Sequence, residues 1–403
     1  MTLRRDDLGG WAANVGLAAA SLAVGLLAAE GLVRLLSPVG PALLVTDPRV
    51  GRRFRPGFQG HVFADETGRE VAVRINSAGF PGPEWPRRKP PGGLRVAVIG
   101  DSMTAGLATG EDRTFVRRLE SALAADSPPR PVEVMNFGVS SASTGSELVT
   151  WREVVAGYAP DVVLVAFFTG NDLGDNSARL TRAPRLYFDL DAAGRLVQGE
   201  EPPPTPAVAR WLDRHSRLYV WLKPATRRLR AATRLAGGEI EPGQRIFARD
   251  GGATVEHAWG VTAALVRRFR EEVEASGARF ALAVIPCAEQ VDDGLWADLA
   301  RRAGQAGVAL DREEPSRRLA ALCAREGIPL VDLTPAFAAA AHRSPGGPAS
   351  AEGLYLLGRF HLGEEGHRVA AESLHRFLRE AGGGSSSSRV EAGGGITRPG
   401  GRP

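Results

Sequence analysis

The sequence predicts a three-layer α/β/α sandwich around a five-stranded parallel sheet, preceded by one amino-terminal transmembrane helix. Two observations carry the sheet: short, wholly apolar runs that stop at turn-forming residues, and amphipathic helical stretches between them. Wholly apolar strands are covered on both faces, and alternation with helices is the order of parallel crossovers. A third observation carries the membrane helix. Trp11 to Ala29 is apolar apart from Asn14 and Ser21. At about 1.5 Å per residue it is roughly 28 Å long, close to the thickness of a hydrocarbon core.

Composition narrows the function. The 403 residues are 43% hydrophobic and 24% charged, enough for a core and against wholesale disorder. Lys and Arg number 50 against 46 Asp and Glu, a net charge of +4. The arginines are scattered, and no basic run is interleaved with aromatics, so no nucleic-acid surface is expected. Cys287 and Cys323 sit in no CxxC or Cys/His spacing. Two buried free thiols are expected over a disulfide, and no metal or organic cofactor.

In chain order, the apolar helix should run on through Glu30 to Leu36 and stop before Pro38. A cleaved signal peptide and a soluble amphipathic helix are the alternatives. Arg4 and Arg5 precede it, whereas Arg34, Arg49, Arg52, Arg53 and Arg55 follow. That count does not itself place the globular part outside, but long domains translocate regardless of such charge. Ala42 to Ile75 reads as short strands with turns, and Asn76 to Gly93 as a Pro/Gly-rich connector. This pre-segment, residues 38–93, is too small to stand alone and should pack on the main domain, residues 94–380.

The main-domain strands are expected at Val96–Ile99, Val132–Phe137, Val162–Phe168, Arg279–Ile285 and Pro329–Leu333. Helices are expected at Asp112–Ala124, Gly145–Gly157, His257–Ala275, Glu314–Glu326 and Glu364–Glu380. An insertion, residues 177–254, breaks the rhythm with a hairpin over Tyr187–Val197 and a basic amphipathic helix over Ala209–Leu235. It follows a central strand, so it is either a lid at the carboxyl edge of the sheet or a surface excursion. Ala381–Pro403 is Gly-, Ser- and Arg-rich, the composition of a disordered tail.

Four segments end a strand or open a helix on one side of the sheet, where such folds bind ligands. They are Gly100-Asp-Ser102, Asn136-Phe-Gly138, Thr169-Gly-Asn-Asp172 and His361-Leu-Gly-Glu-Glu-Gly-His367. In this order they resemble the SGNH, or GDSL-type, hydrolase family, over about residues 94–176 and 257–378. Glu30-Gly-Leu-Val-Arg34, Asn76-Ser-Ala-Gly79 and His215-Ser-Arg-Leu-Tyr219 are similar to its membrane-anchored bacterial branch.

The resemblance implies a serine esterase with the flavodoxin-like topology. Ser102 is then the nucleophile, and His361 is the base that takes its proton and returns it to the leaving alcohol. The Ser102 amide, the Gly138 amide and the Asn171 side chain form the oxyanion hole. The chemistry agrees: a hydroxyl needs an adjacent base to attack at neutral pH. Each donor aimed at a developing oxyanion can be worth about 3 kcal/mol. The implied partners are an acyl ester, acetyl included, on an envelope glycan or a lipid, and the membrane itself. The implied place is the bacterial inner membrane, single-pass, with the catalytic domain periplasmic or extracellular.

Two positions depart from the family pattern. Gly358 stands where an aspartate usually supports the histidine, and Thr169 stands where glycine is common. His361 would then be held by a backbone carbonyl or by another carboxylate such as Asp332 or Glu352. Without that support the protein would be a weakened Ser–His dyad or an inactive glycan-binding protein. An O-acyltransferase on the same fold is a further alternative. Asp101 and Asp172 are expected to fix their turns, and His367 to cap or pack the last helix.

Overall fold

The computed structural model describes residues 5–36, 43–47, 49–64, 66–126, 130–181, 185–199, 206–223, 225–226, 240–241, 243–342, 348–357 and 360–383. The predicted tail lies almost wholly outside them, as do Gly358 and most of the far half of the basic insertion helix.

The pre-segment forms two antiparallel hairpins. The first pairs β1 (Leu44–Asp47) with β2 (Gly51–Phe54), the second β3 (Gln59–Ala64) with β4 (Arg69–Arg74). The main sheet follows: β5 (Leu94–Gly100), β6 (Val132–Gly138), β7 (Val162–Phe168), β10 (Arg279–Ile285) and β11 (Leu330–Asp332). The missing numbers are the insertion hairpin, β8 (Phe188–Leu190) and β9 (Leu196–Gln198), paired antiparallel. The order across the main sheet is β11-β10-β7-β5-β6, with every pairing parallel. Every residue of β5 and β7 is buried, so helices cover both faces. Helices Phe115–Ala124 and Glu364–Gly383 pack together, as do Thr144–Thr150 and Gly252–Ala275.

The five strands fall where the apolar runs place them. The helix expected over Gly145–Gly157 differs: an α-helix covers Thr144–Thr150, a π-turn Trp151–Val155, and a 3₁₀ turn ends at Tyr158. Helices Asp293–Gln305 and Thr334–Ala341 were not expected. The insertion helix is broken: Ala207–His215 is helical, Ser216 is not, and residues 217–223 resume.

The pre-segment packs on the body. Phe54, Val73 and Ile75 bury themselves against Ala105, three residues past Ser102 of the Gly-Asp-Ser motif. The connector is fastened by Arg95, a fully buried guanidinium. It pairs with Glu133 and donates to the carbonyls of Pro86, Arg87 and Tyr158. Those partners satisfy a charge that burial would otherwise penalise.

Arg5–Leu36 is a single helix. Asn14–Leu36 within it, 23 residues of mean hydropathy 1.8, is long and apolar enough to cross a membrane.

Candidate functional site

The serine turn sits on the carboxyl ends of β5 and β6. Gly100 and Gly138 are register partners. The Asp101 carboxylate accepts the Met103 N–H at 2.8 Å and caps the one-turn helix Ser102–Ala105. Gly106 closes it in the left-handed region, φ 63°, its N–H reaching the Ser102 carbonyl. A Cβ on Gly138 would lie 2.2 Å from the Ala105 nitrogen, so the turn's approach itself demands glycine. Ser102 is half-buried, and among the described residues its hydroxyl makes no hydrogen bond.

The two other expected oxyanion donors are engaged within the protein. Gly138 N–H donates to Asn136 Oδ1 at 2.9 Å, while Asn136 Nδ2 holds the Thr104 carbonyl at 2.9 Å. Asn171 follows β7 and donates through Nδ2 to Asp175 at 2.8 Å. The amide has a second N–H, whereas Gly138 has one to share.

Beneath this rim lie four carboxyls: Asp101, Glu147, Asp172 and Asp175, all buried. Arg185 pairs with Asp175 at 2.5 Å. Both Glu147 oxygens, Asp101 Oδ2, Asp172 Oδ1 and Asn171 Oδ1 have no hydrogen-bond partner among the described residues. Burial, then the charges of Asp101 and Asp175, hold Glu147 well above the ordinary glutamate range. Burial, then Asp101 and Glu147, does the same to Asp172. Asp101 is pushed up to about 6, chiefly by burial; the Met103 N–H and the His361 ring pull it back. Protonation gives this acceptor-rich set donors that the fold does not supply.

His361 stands on a loop that pairs with itself. Leu356 N–H donates to the His361 carbonyl at 2.9 Å, and Gly363 N–H to the Leu354 carbonyl at 2.8 Å. The Tyr355 hydroxyl, 2.6 Å from the Pro286 carbonyl, ties the loop to the end of β10. Neither Asp332 nor Glu352 supports the imidazole. Asp332 accepts the Thr334 N–H at 2.8 Å, at the start of helix Thr334–Ala341; Glu352 is exposed and among the described residues accepts no imidazole bond.

The support comes from the pre-segment. Both oxygens of Glu66, in the β3–β4 turn, lie 2.7 Å from His361 Nδ1. A carboxylate only accepts, so Nδ1 carries the proton and Nε2 presents its lone pair. Burial lowers the His361 pKa, but the hydrogen bond and charge of Glu66, with Asp101 behind, outweigh it and raise it above 6.5. No hydrogen bond closes between His361 and Ser102.

The remaining expectations resolve individually. Asp172 accepts the Phe168 N–H at 2.7 Å and fixes its own turn. His367 packs face-on against Phe115 and accepts the Phe115 N–H at 3.1 Å. It thus caps the neighbouring helix Phe115–Ala124 rather than its own. Thr169 Oγ1 accepts the Cys287 N–H at 2.9 Å and bonds Gln290, joining β7 to the loop after β10. Glycine there would lose that tie. Cys287 and Cys323 are buried free thiols. Among the described residues no group of His, Cys, Asp and Glu is arranged to hold a metal ion.

A groove of about 930 Å³ opens beside Glu66, between the β3–β4 hairpin and residues 350–357; neither Ser102 nor His361 lines it. Its walls include Glu66, Arg69, Arg113, Tyr355 and Leu357.

A family profile described as the GDSL-like lipase/acylhydrolase family matches residues 98–369. No curated protein matches the chain. Similar solved structures include an acetylxylan esterase from Geobacillus stearothermophilus, 14% identical, covering 71% of this chain and 94% of that one, TM-score 0.38. A lipase/acylhydrolase from Enterococcus faecalis is 14% identical over 72% of this chain and 96% of its own, TM-score 0.37.

Proposed function

Because the chain belongs to the GDSL-like lipase/acylhydrolase family, we propose that it is a membrane-anchored serine esterase whose histidine is supported by Glu66. The Ser102 oxygen attacks an ester carbonyl as its proton passes to His361 Nε2. The resulting oxyanion is held by the Ser102 amide and the second N–H of Asn171. The Gly138 amide joins them when its bond to Asn136 is shared. Collapse transfers the proton from His361 to the leaving alcohol, and water, activated the same way, frees the acyl group.

The observation that supports this reading most is the Glu66–His361 pair. It answers the objection raised by Gly358, and it favours a working enzyme over an inactive binder. The groove that opens beside Glu66 is wide and lined by charged side chains, which suits an acyl ester on a polar, glycan-like alcohol better than a buried lipid tail. The apolar helix Asn14–Leu36 is read as the anchor that keeps the site at an envelope membrane, with the globular part periplasmic.

The test uses the whole chain in detergent micelles with a short-chain aryl ester. Hydrolysis should occur and should vanish in Ser102→Ala, with labelling of Ser102 by a fluorophosphonate. Equal turnover in both proteins removes Ser102 from the mechanism. Faster acyl transfer to an added oligosaccharide than to water would make the protein a transferase.

A further inference from the structure

The insertion carries an unusual contact with the amino-terminal helix. The Glu30 carboxylate accepts from Ser216 Oγ at 2.8 Å and from the Arg217 and Leu218 N–H groups at 3.0 Å each. It also binds Arg34 Nε at 2.7 Å, and Arg34 donates to the His215 carbonyl at 2.7 Å. Ser216 is the break between the two insertion helices. An acidic residue in an apolar span is costly unless it is paired, and here every partner is supplied by the elbow or by Arg34.

Depth follows from helix geometry. Glu30 is six residues before the helix ends at Leu36, which is about 9 Å along the axis. An element bound to Glu30 is therefore held level with the last turns of the span, the interfacial zone of a bilayer. The elbow is built for that zone. Trp211 and Trp221 lie five residues either side of Ser216 and are 60% and 51% exposed. Val208 and Leu222 are exposed with them. Residues 207–223 hold Arg210, Arg214, Arg217 and Lys223 against one acid, Asp213. Exposed tryptophan and aliphatic side chains beside cationic ones are the chemistry of a helix lying on anionic headgroups.

We infer that residues 207–223 form a lipid-surface element, docked on the anchor through Glu30, that seats the catalytic domain on the bilayer. The inference rests on the reading of Asn14–Leu36 as a membrane span. It assigns the insertion to the membrane instead of to a lid over the serine.

The test reconstitutes the full chain in phosphatidylcholine–phosphatidylglycerol vesicles, with and without lipids brominated near the headgroup, in a Trp11→Phe background. Bromolipid should quench the tryptophan emission, and most of the quenched part should disappear in Trp211→Phe/Trp221→Phe. Glu30→Ala should lose the same part while the chain stays in the membrane after carbonate washing. Quenching unchanged by the double substitution overturns the inference, and so do tryptophans shielded from both bromolipid and aqueous acrylamide, which would indicate a protein partner. Release of the unsubstituted chain by carbonate overturns the anchor reading itself.

Discussion

At His361 burial pulls the pKa down, and Glu66, 295 residues away in sequence, with Asp101 behind it, pulls it up. Glu66 raises the imidazole pKa above 6.5, so the base is neutral, and competent, only above that raised value. We expect kcat/KM for a neutral ester to rise with pH through a limb lying above 6.5, read from a pH–rate profile. The same bond stabilises the fold while the ring is charged. That contribution is present below pH 6.5 and is lost as pH rises through the raised pKa. Glu147 acts in the same direction by another route. Its folded pKa stands well above 4.5, so the proton it binds favours the fold at low pH, and the benefit fades as pH rises. Glu147→Gln keeps the shape without the charge and should raise stability at neutral pH, with a flatter decline from pH 4.5 upward in urea titrations. As candidates, Ser102, Gly138, Asn171 and His361 are read from their motifs, each at a strand end or just before a helix. Glu66 is not: it stands in an ordinary hairpin turn, and only folding brings it to the ring.

Among the elements, the Ser102–Ala105 turn and the β3–β4 hairpin matter most, because each touches the other's chemistry. Ala105 lies in one small core with Phe54, Val73 and Ile75, so the hairpins brace the serine from below while Glu66 braces the histidine. Phe54→Ala should cost about 3–5 kcal/mol of stability, measured by urea unfolding, and should lower turnover beyond what unfolding explains. Gly138→Ala should impair turnover by forcing the Ser102 turn away from β6, since the added carbon meets the Ala105 nitrogen at 2.2 Å. The main strands were legible because burial on both faces writes them as unbroken apolar runs. The helix after Ser143 was legible only at its start. Its π-turn at Trp151–Val155 keeps the hydrophobic spacing while changing the hydrogen bonds, which periodicity does not register. The break at Ser216 was missed for a related reason. Serine tolerates a helix, and what ends this one is a carboxylate from the distant amino-terminal helix.

At the scale of the whole molecule, the pre-segment packs into the same body as the main sheet, and the insertion is fastened to the amino-terminal helix through Glu30. The domain boundaries drawn from composition separate residues 38–93 from the hydrolase domain, yet the site draws on both. Acid stability should follow a second histidine. Burial foremost, then Arg118 and His361, push His367 down to about 3. It is neutral in the fold, so its contribution is present above pH 6.5 and is lost as pH falls from there towards 3. His367→Gln, which can still accept the Phe115 N–H, should flatten that acid decline.

The most direct measurement is the pH–rate profile of Glu66→Gln beside Glu66→Asp and the unsubstituted protein. A kcat lower by about 10³–10⁴ is expected in the glutamine variant, the scale on which triads lose their acid. An alkaline-competent limb moved to lower pH is also expected, with partial recovery of both in the aspartate variant. A glutamine variant with unchanged kcat and an unmoved limb would contradict the role given to Glu66.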